Sequence, residues 1–164
     1  MISKIMKKMV EFSDGNIRDI EHFIKVYGYA KTIGELEGLD KETQFVLELA
    51  AISHDIACPL CREKYGSTRG NLQELESPEL IRHFFAGESL SAEQIERICW
   101  LVAHHHTTDN VQDIDHRILL EADYLVNAAE QNQSRDKILA AKELFFETES
   151  GKTLLDNIFL HGGL

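Results

Sequence analysis

The stretch Phe45-Val46-Leu47-Glu48-Leu49-Ala50-Ala51-Ile52-Ser53-His54-Asp55-Ile56 decides the fold. From Phe45 to Ile52 it is apolar nearly all round, as expected of a central helix covered by neighbours on every side. It ends on His54 and Asp55. An unpaired carboxylate at the end of a buried helix costs on the order of several kcal/mol, and a metal ion removes that penalty. Taken alone, the dipeptide reads more readily as a capping aspartate beside a hydrogen-bonded core histidine.

Helical periodicity extends in both directions from this segment. A short helix is predicted from Ile2 to Phe12. Ser13 or Asp14 then offers an N-cap for a long helix reaching Gly34 to Gly38, on which His22, Val26, Tyr29 and Ile33 share one face. The central helix itself is predicted from Lys41 to Ile56. The stretch Pro59 to Leu75, with Gly66, Ser67, Gly70 and Asn71, reads as a functional loop. Ser77-Pro78-Glu79 reads as a helix start, with proline at the first helical position, and that helix stops near Gly87. Ser91 and Gln94 form a capping-box pattern for a helix ending at His104 to His106. Further helices are expected at Ile114–Glu130, Ser134–Glu147 and Lys152–Leu160. No alternating strand pattern stands out, so the expected class is all-α, a compact multi-helix bundle forming one continuous domain over residues 1–164.

The composition agrees. At 164 residues and 43% apolar content the chain can bury a core without disulfides. Two prolines leave room for long helices. A formal charge of −11, from 17 basic and 28 acidic residues, speaks against a nucleic-acid partner. A small phosphate ester needs only a local basic pocket. Three cysteines, the lack of a signal-like N-terminus and the lack of a long apolar run make the cytoplasm the expected location, with no membrane partner.

Other core-facing positions also carry ligand-type side chains. His22 lies on an apolar stripe, His83 adjoins Phe84 and Phe85, and His104, His105 and His106 end an apolar helix. Asp123 sits among Leu119, Leu120, Ala122, Leu125 and Val126. Each alone reads as structural. Together they suit first-row transition metals inside a helical bundle. His116 and His161 read as surface or capping residues, Trp100 and Phe145-Phe146 as core, and the tail to Leu164 carries no motif.

The order His22, His54-Asp55, Asp123 resembles the HD-domain superfamily of metal-dependent phosphohydrolases. The stretches Asp19-Ile-Glu-His22-Phe-Ile-Lys-Val26-Tyr-Gly-Tyr-Ala30, Leu49-Ala-Ala-Ile-Ser-His54-Asp55-Ile56, Ile98-Cys-Trp-Leu-Val-Ala-His104-His105 and Leu120-Glu-Ala-Asp123 carry the likeness, which covers about residues 16 to 130. His83 and the histidine pair resemble the two-metal branch, including the HD-GYP phosphodiesterases. That resemblance implies one metal on His22, His54, Asp55 and Asp123, a second on His83, His104 and His105, and Asp55 bridging both as the catalytic carboxylate. The two divalent metals would be Fe, Mn, Ni, Zn or Co. Such a pair lowers the pKa of a shared water and neutralises phosphoryl oxygens. The chain departs from the HD-GYP pattern: Thr107-Thr108-Asp109 follows the histidines, and Cys58 stands where a lysine is usual. These departures speak against a cyclic-dinucleotide substrate.

The expected reaction is therefore hydrolysis of a small phosphomonoester or nucleotide. Arg62, Lys64 and Arg69, in the irregular stretch after the HD dipeptide, are the expected phosphate contacts, and Arg82 is a further candidate. Cys58-Pro-Leu-Cys61 has the spacing of half a zinc site or a redox pair, but no second such motif accompanies it. Two alternatives use the same ligand set. One is a di-iron HD-type oxygenase, and the other is a metal-binding sensor or adaptor without activity. Apolar stripes on the terminal helices suit either a homodimer contact or completion of the core.

Overall fold

The computed structural model describes residues 1–109, 111 and 113–161, and the C-terminal Gly162, Gly163 and Leu164 lie outside the described residues. Nine α-helices and a closing π-helical turn, with no strand, make up the regular structure among them. They are α1 (Ile2–Phe12), α2 (Ile17–Leu36), α3 (Lys41–Ser53), α4 (Cys58–Tyr65) and α5 (Gly70–Phe85). After these come α6 (Ala92–His104), α7 (Ile114–Glu130), α8 (Arg135–Phe145), α9 (Glu149–Leu155) and the turn Asp156–Leu160. The all-α bundle is the predicted class.

Helix α3 is the hub. Asp40 caps it by accepting from the backbone N–H groups of Glu42 and Thr43, and every residue from Val46 to Ser53 is buried. Its neighbours α1, α2, α6 and α7 wrap it. Burying Leu47, Leu49 and Ile52 completely contributes about 1.5–3 kcal/mol for each side chain. By length and composition, Lys41–Tyr65 could also cross a membrane, contrary to the expectation that no such run exists. Most of it is buried inside the bundle, which marks it as core.

Four element boundaries differ from the sequence reading. Helix α2 is capped by Asn16, whose side chain accepts from the Asp19 N–H, and not by Ser13 or Asp14. Asp14 and Gly15 are used instead in a left-handed turn, with φ of 45° and 75°. The stretch after the HD dipeptide is not a loop. It forms α4, with Pro59 in its first turn and Gly66 (φ 65°) ending it. Helix α5 starts at Gly70, two turns before Ser77, and runs through Pro78. Tertiary packing carries it past the proline: Gln73, Ser77 and Ile81 are all buried where α5 lies along α6. The capping box of Ser91 and Gln94 and the limits of α7 are as expected. At the C-terminus, buried Glu121 accepts from the N–H groups of Glu147 and Thr148. Thr148, held there, caps α9 by accepting from the Gly151 N–H, so the helix starts at Glu149 instead of Lys152.

Candidate metal centre

Three helices meet at the C-terminal end of α3. Helix α2 brings His22, α7 brings Asp123, and the turn after α3 brings His54 and Asp55. His22 Nε2 lies 3.2 Å from His54 Nε2, 3.1 Å from Asp123 Oδ1 and 3.6 Å from Asp55 Oδ2. His54 Nε2 lies 3.5 Å from Asp123 Oδ1 and 3.6 Å from Asp55 Oδ2. Two ligands about 2.1 Å from a common ion are separated by roughly 3.0 Å at a right angle and roughly 3.4 Å at the tetrahedral angle. The two shortest edges, 3.1 and 3.2 Å, fall in that range, and the others, at 3.5–3.6 Å, lie just beyond it.

The tautomers are set from behind. His54 Nδ1 donates to the Ala51 carbonyl at 2.8 Å, and His22 Nδ1 donates to Glu130 Oε2 at 3.0 Å. Both Nε2 atoms are thereby aimed inward. Two imidazole lone pairs 3.2 Å apart beside two carboxylates call for a positive charge between them. A proton fills that role on His22 when no metal does. Burial lowers its pKa, but the Asp123 hydrogen bond and the charges of Asp55 and Asp123 outweigh burial and raise it to about 9. His54 is raised in the same way, against its own burial, chiefly by Asp55. Burial raises the Asp55 and Asp123 carboxyls, yet the surrounding histidines hold both below the usual carboxylate range. Asn127 steadies Asp123 by donating to Oδ1 at 2.8 Å. The donor set, the edge lengths and the inward lone pairs all fit a divalent metal.

On the other side of Asp55, its Oδ1 lies 3.6 Å from His105 Nε2. His105 Nδ1 donates to the Val102 carbonyl at 2.6 Å, which leaves Nε2 as a buried acceptor without a hydrogen-bond partner among the described residues. Two overlapping groups therefore suit an ion: His22, His54 and Asp123, and His54, Asp55 and His105.

His83 and His104, the other two expected ligands, are not brought to this cluster. On α5 the buried face is Ile81, Phe84 and Phe85, so His83 turns to solvent. His104 shares the outer face of α6 with Trp100, stacks on it at 4.3 Å and donates to its carbonyl at 2.7 Å. Trp100, expected in the core, is 38% exposed. His116, expected at the surface, is buried and donates to the His104 carbonyl at 2.9 Å, closing the end of α6.

His54 is fully buried, and His22, Asp55, His105 and Asp123 of the cluster line a cavity of about 830 Å³, a size typical of small-molecule sites. Of the three expected phosphate contacts only Arg62 lines it, and there it is paired with Asp19. Lys64 turns away to Glu76 at 2.6 Å, and Arg69 is an exposed residue at the start of α5. Arg82 pairs with Glu96 on the surface. Arg18, missed in the sequence, also lines the cavity. It precedes His22 by four residues on α2, a spacing that places both on one face. Glu130 and Asn127 were legible in the same way, seven and four residues after Asp123 on α7. Cys58 lines the cavity, but burial and the Asp55 charge push its thiol pKa up, and burial does the same for Cys61. Neither thiol is poised for redox chemistry.

A family model described as HD domain matches residues 19–128, about two thirds of the chain. The chain belongs to the HD domain family, a superfamily largely of metal-dependent phosphohydrolases. No curated protein and no solved structure matches it.

Proposed function

We propose that this protein is a metal-dependent phosphohydrolase acting on a small phosphomonoester or nucleotide. One observation carries the reading: His22, His54, Asp55 and Asp123 converge at ligand spacing, with His22, Asp55 and Asp123 lining an open cavity. A divalent metal held by these four residues supplies water activation and charge neutralisation at phosphorus.

The remaining chemistry belongs to the chain. Glu130 and the Ala51 carbonyl keep the two imidazoles in the orientation a ligand needs. Asp55, partly open to the cavity and held ionised by the surrounding histidines, would hold the metal on the side an entering substrate reaches. Arg62 and Arg18 stand on the cavity wall with charge suited to a phosphate dianion. Arg62 must exchange its Asp19 partner for the substrate, which weakens its net contribution. Tyr124 and Phe145 give the same cavity an aromatic surface on which a nucleobase or other apolar leaving group can rest.

The test is phosphate release from a panel of nucleoside monophosphates and simple phosphomonoesters. The protein is stripped of metal and reloaded singly with Mn, Fe, Co, Ni or Zn. Turnover that appears with metal and disappears in Asp55→Ala supports the reading. Metal binding without release of phosphate from any ester, accompanied by O₂ uptake, would transfer the site to oxygenase chemistry. No metal binding would leave the bundle as an adaptor scaffold.

A further inference from the structure

One wall of the cavity is built from the segment 66–73. Gly66, Ser67, Thr68 and Gln73 line it, while Arg69, the one charged residue of the segment, does not. This wall is polar without being charged, unlike the wall that carries Arg18 and Arg62. Serine and threonine ahead of a helix ordinarily cap it by accepting from its first N–H groups. Here the N-cap position of α5 is Arg69 and no side chain caps the helix. The Ser67 and Thr68 hydroxyls bond to no other group among the described residues. Local structure therefore leaves both hydroxyls unused on the cavity wall.

Gln73, 3% exposed, ties this wall to the histidine cluster. Its Nε2 donates to the Thr68 carbonyl at 3.0 Å and to His106 Nε2 at 3.1 Å. A carbonyl can only accept, so the amide orientation is fixed. Oε1 is left as a buried acceptor without a partner among the described residues. The His106 ring packs 3.9 Å from the His105 ring, and His105 Nε2 lies 3.6 Å from Asp55 Oδ1. An unbroken run of contacts thus joins Thr68 to Asp55, and the hydroxyl wall borders the cluster. Gly70 permits this close seating of α5, since a Cβ there would lie 2.9 Å from the His106 ring.

A phosphate dianion only accepts hydrogen bonds and is better served by a metal and by arginine. Neutral hydroxyls both donate and accept, which matches the hydroxyl groups of a polyol. We propose that Ser67 and Thr68, backed by Gln73, bind a hydroxyl carried close to the substrate's phosphate, so that the substrate is a phosphorylated polyol or sugar. This rests on the phosphohydrolase reading of the same cavity and narrows its substrate class. Gln73 is a positioning residue, since it fixes Thr68 through the backbone carbonyl. A site equipped to hydrogen-bond a substrate hydroxyl rejects the analogue that lacks it, because the site's own polar groups are then left unpaired.

The probes are two phosphonates that cannot be hydrolysed, 3,4-dihydroxybutylphosphonate and butylphosphonate, titrated calorimetrically into the Mn²⁺-loaded full chain. Wild type should bind the dihydroxy compound about tenfold more tightly than the plain one. Ser67→Ala with Thr68→Val should bring the two affinities within about twofold of each other. Gln73→Leu should narrow the gap in the same direction. Equal binding of the two probes by wild type overturns the proposal, and so does a gap that survives in the double variant. Gln73→Leu reads the same ratio in a separate protein, so an unchanged ratio there overturns the proposal even if the double variant fails to fold. Failure of both phosphonates to bind would refute the phosphohydrolase reading itself, and this inference with it.

Discussion

Metal uptake should expel a proton from His22, and the release can be counted. Without metal, His22 is raised from 6.5 to about 9. At roughly 1.36 kcal/mol per pH unit, its charged form contributes on the order of 3 kcal/mol to the stability of the metal-free protein. The side chain is 9% exposed, so solvent screening is small. A folded pKa above the unfolded value means that this contribution is fully present below about pH 6.5. It is lost as pH rises through about 9. The metal needs the Nε2 lone pair, so it must displace that proton. At pH 7.5 the site is charged in roughly thirty molecules for each neutral one, so each metal bound should release about one proton from His22. Stabilisation by metal should accordingly grow between pH 6.5 and 9, while the metal-free protein loses stability over the same interval. The assay is calorimetric titration in phosphate and in Tris, whose ionisation enthalpies differ, together with thermal melts with and without metal. Binding enthalpy that is independent of buffer at pH 7.5 would refute the reasoning, because it would mean that no proton leaves.

Three further outcomes follow from the geometry. Glu130→Ala removes the acceptor behind His22 Nδ1 and should lower metal affinity about 10- to 100-fold with little change in unfolding free energy, checked by competition with a chelating dye. Gly70→Ala places a methyl group 2.9 Å from His106 and should cost about 1–3 kcal/mol in urea unfolding, since neither α5 nor the His106 ring can give way cheaply. Arg62→Ala should raise KM for a working phosphoester by about tenfold while Lys64→Ala leaves it within twofold, because of these two only Arg62 lines the cavity; equal effects from both would show that the phosphate binds elsewhere.

The helical class, the central helix α3 and the ends of α7 were legible from local signals. An all-round apolar run has to be surrounded, and the Asp40 and Ser91 caps act within a few residues of themselves. His22, His54, Asp55 and Asp123 were legible because each is a polar side chain on an otherwise buried face, and only a shared centre makes four such burials tolerable at once. The rotation of α5 and α6 was not legible. Each successive residue on a helix turns by about 100°, so ligand-type residues in a row face different directions, and the neighbouring helices decide which one enters the cavity. Packing on Ile81, Phe84 and Phe85 turned His83 outward, and stacking on Trp100 took His104 with it, leaving His105 at Asp55. The continuation of α5 through Pro78 had the same origin, since contacts with α6 outweighed a local stop signal. Residue type and periodicity thus determined that the bundle would hold a cluster of histidines and aspartates. Long-range packing, which has no local signature, chose the cavity wall on which Gln73, His106, Arg18 and Glu130 joined it.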